Sequence, residues 1–324
     1  MLRQPIYPDI DRNKYNNGNL HEYDPYMIID GINVIDEDWW RSLTAYNKAV
    51  IEEKLGGKYI LGKISIPHEI QEKDNDDKFL SIVHQTYIDS FDYNLWYDPN
   101  SPYMPLNVSM IEVSPEIKPL FLEMQKMNII IDSNNLQIFA NNIDAIMKKG
   151  EKYFIRMSST SGKNEKSIEP VMTVNEVMKR LSTIKLFSKK EYERIDKQSY
   201  LIILPWNDKI DSRYEFRIFV VNGKLTCASP QNWFECHQYS SDELEIFEEV
   251  LMNMTFIDKF MYQTYVADIY IDIETKRAHL IELNPFGAHC GAGSSLFNWI
   301  TDYDLLHGIN NDQPVLRYLS VINY

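Results

Sequence analysis

Residues 264–285 read TYVADIYIDIETKRAHLIELNP. Two β-patterned runs, Thr264–Asp272 and Arg277–Leu283, flank a short polar turn. Successive strand side chains point to opposite faces, so Glu282 and Asn284 share one face while Ile281 and Leu283 take the other. On the first run, Asp268 interrupts an otherwise apolar series. An antiparallel hairpin can bring Asp268 beside Glu282 and Asn284, placing three oxygen-bearing side chains together, two of them ionised. Like charges so close call for a cation, and hard oxygen donors suit Mg²⁺ shared with phosphate oxygens. Pro285 cannot continue a ladder, which ends the strand just past these groups. The plainer alternative is an edge strand carrying solvated acids.

Outward from this hairpin the second half of the chain is rich in strands. Tyr153–Met157, Tyr200–Leu204, Tyr214–Val221 and Lys224–Ser229 all have strand character, and Asn222-Gly223 is a strong hairpin-turn signal. Thr173-Val-Asn-Glu176 and Ser240-Ser-Asp-Glu243 are capping boxes, opening helices toward Phe187 and Ile257. Hairpins mixed with capped helices predict an α+β arrangement with a largely antiparallel sheet. In the first half, residues 1–30 have no clear period and read as an irregular arm. A helix is expected from Asp36 to Gly57, a strand over Tyr59–Ser65, and a helix with Phe79, Val83 and Tyr87 on one face. A strand over Asn107–Val113 and helices from Ser114 to Met127 and Leu136 to Lys149 follow. The predicted division is an N-terminal region, 1–130, and a core, 131–324.

Two further stretches carry charge where strands end or run central. In Lys152-Tyr-Phe-Ile-Arg156-Met-Ser-Ser-Thr-Ser-Gly-Lys163, an arginine at a strand end precedes a small-residue loop and a lysine. Small residues let backbone N–H groups approach phosphate while the cations neutralise it. Neither a G-x-x-x-x-G-K-[ST] loop nor a G-x-G-x-x-G motif is present. In Glu215-Phe-Arg217, two charged side chains share a strand face, which is costly on a central strand unless that face meets a polar cleft.

Composition narrows the function classes. The 324 residues carry a net charge of −14, which repels a phosphate backbone and argues against a general nucleic-acid binder. Three cysteines form no C-x-x-C pair, pointing to a reducing compartment. There is no apolar leader-like start and no run of about 18 apolar residues, so neither a signal peptide nor a membrane span is expected. The expected location is the cytoplasm. Cys236-His237 and His289-Cys290 are adjacent pairs without the spacing of a tetrahedral zinc site.

Taken in order, these elements resemble the cell-division-cycle protein 123 family, a divergent branch of the ATP-grasp fold. Arg156-Met-Ser-Ser-Thr-Ser-Gly-Lys163-Asn is similar to the family's Arg/Asn-x-Ser-x-x-Ser-Pro-Lys-Asp element. Glu215-Phe-Arg-Ile-Phe-Val resembles E-F-R-x-F-V, and Asp268-Ile-Tyr-Ile-Asp resembles D-V-Y-x-D. Glu282-Leu-Asn-Pro-Phe-Gly resembles D-F-N-P-[FW]-G, and Leu296-Phe-Asn-Trp299 resembles L-F-x-W. The resemblance covers roughly 150–300. It implies two α+β subdomains with largely antiparallel sheets clamping ATP. Asp268, Glu282 and Asn284 then become Mg²⁺ ligands and Arg156, Lys163 and Arg217 phosphate contacts. Glu215 joins the nucleotide site, and adenine lies against the strand ending at Leu204 and the following Trp206. Three positions depart from the pattern: Glu282 replaces Asp, Phe154 replaces the eukaryotic Lys, and Pro230-Gln231 replaces Gln-Arg.

The resemblance further implies an ATP-dependent assembly factor for eukaryotic translation initiation factor 2, docking its gamma subunit. The competing expectation is an ATP-grasp ligase that activates a carboxylate as an acyl phosphate for an amine. In that reading the Gly- and Ser-rich stretch Phe286–Ser295 closes over the substrate.

Overall fold

The computed structural model describes residues 1–6, 26–29, 32–36, 59–62, 89–127, 131–159, 169–182, 197–233, 237–254, 262–287, 292–299, 302–309 and 312–319. The chain forms two compact units, Met1–Ser90 with Ile210–Tyr324, and Phe91–Lys209.

The first unit contains β1 (Leu2–Ile6), β2 (Tyr26–Ile29), β3 (Ile32–Asp36) and β4 (Tyr59–Gly62). The second contains helix α1 (Tyr93–Trp96), β5 (Ser109–Glu112), α2 (Lys118–Met127), α3 (Asn134–Asp144), β6 (Tyr153–Met157), α4 (Val174–Leu181) and β7 (Tyr200–Pro205). The chain then returns to the first unit with β8 (Glu215–Val221), β9 (Lys224–Pro230) and α5 (Ser241–Met252). It finishes there with β10 (Tyr265–Asp272), β11 (Arg277–Pro285), α6 (Tyr303–Leu306) and β12 (Val315–Leu319).

A six-stranded sheet in the order β1-β12-β9-β8-β10-β11 dominates the first unit. Its β9-β8-β10-β11 part is antiparallel, while β12 runs parallel to both β9 and β1. Residues 2–6, expected in an irregular arm, are therefore a strand. Their pairing partner lies at the far end of the chain, so no local pattern announces it. A smaller sheet pairs β2 with β3 antiparallel and β3 with β4 parallel. The helices expected after Asp36 and around Phe79–Tyr87 lie outside the described residues.

In the second unit, β7 is central between β5 and β6, all antiparallel. Alternation puts Tyr153, Ile155 and Met157 on one face with Leu201 and Ile203. That face is buried against Phe121 and Met124 of α2, Leu136, Phe139 and Ile143 of α3, and Val177 and Leu181 of α4. The 3-4 spacing in α3 makes one apolar stripe, and the Phe139 ring meets Phe121 edge-on at 5.9 Å.

Local signals act as the sequence predicts. Asn222 and Gly223 both have positive φ, 51° and 72°, which a type I′ turn requires. Both capping boxes form: the Thr173 and Ser240 side chains each accept from the backbone N–H three residues on, and Glu176 and Glu243 reach back. Removing one such cap costs about 1 kcal/mol. Ser240→Ala is therefore expected to lower stability by about that amount, read from the urea midpoint, while Ser241→Ala inside α5 leaves it nearly unchanged. Below the cap, Phe247 of α5 packs on Phe216 of β8 at 4.7 Å between centroids. That contact covers the sheet face opposite the one bearing Arg217.

Candidate functional site

The β10–β11 hairpin turns through Asp272, whose Oδ1 accepts from the backbone N–H groups of Glu274 and Thr275 at 2.9 and 3.1 Å. From the turn the register runs Asp272↔Arg277 to Ile269↔Leu280. Continued unchanged, it would set Ile281 opposite Asp268. A bulge between Asp268 and Ile269 instead opposes Asp268 to Glu282, then Val266 to Asn284. One extra residue thus turns two acids that would lie on opposite faces into cross-strand neighbours.

On its other side Asp268 opposes Arg217 of β8. The guanidinium grips the carboxylate in a fork, Nε to Oδ1 at 2.8 Å and Nη2 to Oδ2 at 2.9 Å. Both groups are buried, Asp268 at 1% exposure and Arg217 at 9%. Burial pulls the Arg217 pKa down. The charge and hydrogen bonds of Asp268, together with the Glu282 charge, outweigh it and hold the pKa above its ordinary value. Two carboxylates, Asp268 and Glu282, thus act on one guanidinium.

The third Arg217 nitrogen, Nη1, donates to the Gly293 carbonyl at 2.7 Å, tying the site to the 292–299 segment. Gln231 Nε2 donates to Asp268 Oδ2 at 3.4 Å, and Gln231 Oε1 accepts from Ser295 Oγ at 3.5 Å. Gln231 and Gly293 had no role in the sequence reading of the site. A departure from the family pattern at 230–231 was the signal for the first, and a carbonyl contact leaves none for the second. Ser295 itself sits at φ 52°. Glu215, half-buried, opposes Tyr270 two residues along the same face of β8 from Arg217.

The fit of a cation can be judged from Asn284. Its Nδ2 is buried without a hydrogen-bond partner, an arrangement that costs about 1–3 kcal/mol when nothing compensates it. Half a turn of the amide exchanges nitrogen for oxygen and presents a hard donor beside Glu282. Two carboxylates and an amide oxygen are the hard donors that fit Mg²⁺. Among the described residues no cluster of three His, Cys, Asp or Glu side chains could hold a metal. The buried Cys227 thiol, pushed up to about 12 by burial, is no ligand either.

The remaining predicted residues belong to the second unit. Arg156 of β6 opposes Ile202 of β7 and is 4% exposed. Its guanidinium lies over the Tyr93 ring, 5.0 Å from the centroid, with Nε donating to the Met157 carbonyl at 3.3 Å. Leu204, nearly buried, opposes Phe154, one residue beyond Ile203, where pairing with β5 ends. Trp206 is pinned by its indole N–H to Asp208 at 2.9 Å and by its backbone N–H to the Lys152 carbonyl. Lys163 lies outside the described residues.

The class of protein is an α+β protein with mostly antiparallel sheets. Its fold is similar to that of Cdc123 from Schizosaccharomyces pombe, with a TM-score of 0.56 at 17% identity over 73% of this chain and 98% of that one. Residues 172–322 match the D123 family. Over 115 residues the sequence is 32% identical to the putative CDC123-like protein L884 of Acanthamoeba polyphaga mimivirus. Over 115 residues, 35% of this chain, it is 27% identical to cell division cycle protein 123 of Candida glabrata. These matches span 34% and 30% of the relatives' own lengths. No helix among the described residues is long and apolar enough to cross a membrane.

Proposed function

We propose that this chain binds Mg-ATP and uses it as an assembly factor for eukaryotic translation initiation factor 2, docking the gamma subunit in the cytoplasm. The observation that carries the nucleotide reading is the Arg217–Asp268–Glu282 cluster next to the unpartnered Asn284 amide. Asp268, Glu282 and Asn284 hold the cation, which neutralises phosphate charge when bound. Arg217, Arg156 and Lys163 contact phosphate oxygens, and Glu215 lines the same sheet face as Arg217. Leu204 and Trp206 take the adenine, where the main chain of β7 passes the end of β5. Support for the assembly role is the match of residues 172–322 to the D123 family. Because the curated matches cover about a third of those relatives, the partner is inferred and not carried over with the fold.

Two measurements test the reading. Wild-type protein is expected to bind Mg-ATP in calorimetry, with Glu282→Ala weakening it more than tenfold, about 1.4 kcal/mol. Glu274→Ala, on the exposed hairpin turn, should leave binding unchanged. Equal losses from the two variants would remove the metal assignment. The partner is tested by a pull-down of purified translation factor 2 gamma subunit with and without Mg-ATP. ADP release stimulated by cell extract and missing from Glu282→Ala would instead favour the carboxylate–amine ligase.

A further inference from the structure

The Arg156 corner contains a group that neither the fold nor the proposed cation site uses. Tyr93 is 1% exposed, and its phenol oxygen has no hydrogen-bond partner. A buried hydroxyl left in that condition is rare, because the hydrogen bonds it made to water are lost without return. The ring itself is firmly placed. Trp96 and Tyr97 pack on it at 4.5 and 5.5 Å between centroids, and the Tyr93 N–H donates to the Ser158 carbonyl at 2.7 Å. Ser158 is two residues beyond Arg156, so the same backbone bond fixes the phenol relative to the end of β6. The guanidinium of Arg156 then lies over the ring at 5.0 Å. Burial, opposed by the Arg156 charge and reinforced by Tyr97, pushes the phenol well above its ordinary pKa. It therefore remains an O–H donor across the physiological range.

A cation and an unused O–H donor at one buried corner are what an oxyanion needs: charge neutralisation from one group, a directed hydrogen bond from the other. We infer that Tyr93 is a further ligand-binding residue, donating its phenol hydrogen bond to the phosphoryl oxygen that Arg156 neutralises. The inference rests on the reading of Arg156 as a phosphate contact and adds to it a residue outside the motif-bearing stretches.

Tyr93→Phe deletes one oxygen and leaves the ring under Arg156, so it separates the donor from the packing. Calorimetric binding of Mg-ATP and, separately, of inorganic pyrophosphate would be measured for wild type, Tyr93→Phe and Tyr97→Phe. Melting temperature would be recorded for all three. A hydrogen bond to a charged oxygen makes the expected loss about tenfold or more for both ligands in Tyr93→Phe. The melting temperature should be equal or higher, since an unsatisfied hydroxyl is removed. Tyr97→Phe, whose hydroxyl already donates to the Pro105 carbonyl at 3.1 Å, should keep wild-type affinity. If Tyr93→Phe binds both ligands as wild type does, the inference falls and the nucleotide reading stands. If wild type binds pyrophosphate but not Mg-ATP, and Tyr93→Phe loses it, the anion corner stands and the nucleotide reading falls. Binding of neither ligand by wild type overturns both. Equal weakening by both variants, with lowered melting temperatures, would make Tyr93 a packing residue only.

Discussion

Asp268→Ala is expected to destabilise the folded chain by about 3–5 kcal/mol, the cost of stranding a buried charge. With the carboxylate gone, Arg217 stays 9% exposed and keeps only the Gly293 carbonyl of the two partners described for it. Glu282, whose charge already acts on Arg217, compensates in part from the neighbouring strand. The loss should therefore fall toward the lower end of that range. Asp268→Asn, which keeps the shape and one acceptor oxygen, should lie between the variant and wild type. The decisive comparison is the double replacement Asp268→Leu with Arg217→Met, because a buried pair exchanged for apolar groups of similar size is often neutral or stabilising. Urea denaturation at constant pH reads all three. A single-variant loss under 1 kcal/mol would show the pair to be solvated and would return the sheet face to the solvated-acid alternative.

The second large effect is expected away from the proposed nucleotide site. Arg317, on β12, donates through Nη1 and Nη2 to Asp302 at 2.5 and 2.7 Å, and both side chains are about nine-tenths buried. Its Nε donates to Gln4 on β1 at 3.0 Å, its Nη1 reaches the Leu296 carbonyl, and its guanidinium covers the Phe297 ring at 4.4 Å. One side chain thus joins the N-terminal strand, the segment after β11 and the N-cap of α6. Arg317→Ala is expected to cost about 3 kcal/mol by leaving Asp302 buried and unpaired. Faster hydrogen exchange should follow at residues 296–299. Lys at this position keeps charge but not the two-pronged geometry, and should recover only part of the loss. Since Gly293 and Ser295 lie on the same segment, Mg-ATP affinity should also drop in Arg317→Ala. An unchanged exchange rate at 296–299 would show that the aromatic packing of Phe297 and Trp299 on Phe219 holds the segment without the arginine.

The parts of the fold that were legible in the sequence are those decided between neighbours. Asn222-Gly223 forms its turn because both residues accept positive φ. Thr173 and Ser240 cap their helices because a hydroxyl and a glutamate three residues apart can reach each other's backbone. Alternation likewise placed Glu282 and Asn284 on one face and gave β8 its Glu215–Arg217 pair. The helix predicted from Leu136 to Lys149 closes earlier, at Asp144, and Gly150 at φ 84° belongs to the turn before β6. Beyond Asp144 the chain is no longer helical, yet Ile146 and Met147 still pack against the same core.

What sequence alone determined is the chemistry of the site: which acids, amide and cations stand at strand positions facing one way. Tertiary structure decided how they combine. Arg217 neutralises Asp268 from inside the protein, so the cation that two acids call for is supplied in part by the chain itself. The bulge before Ile269 sets Glu282, not Ile281, against Asp268, and no periodicity of two can report a single inserted residue. Residues 2–6 pair with 315–319, and the chain leaves its first compact unit after Ser90 and returns at Ile210. Each of these rests on contacts between residues distant in sequence, whose free energy appears only once the chain has closed on itself.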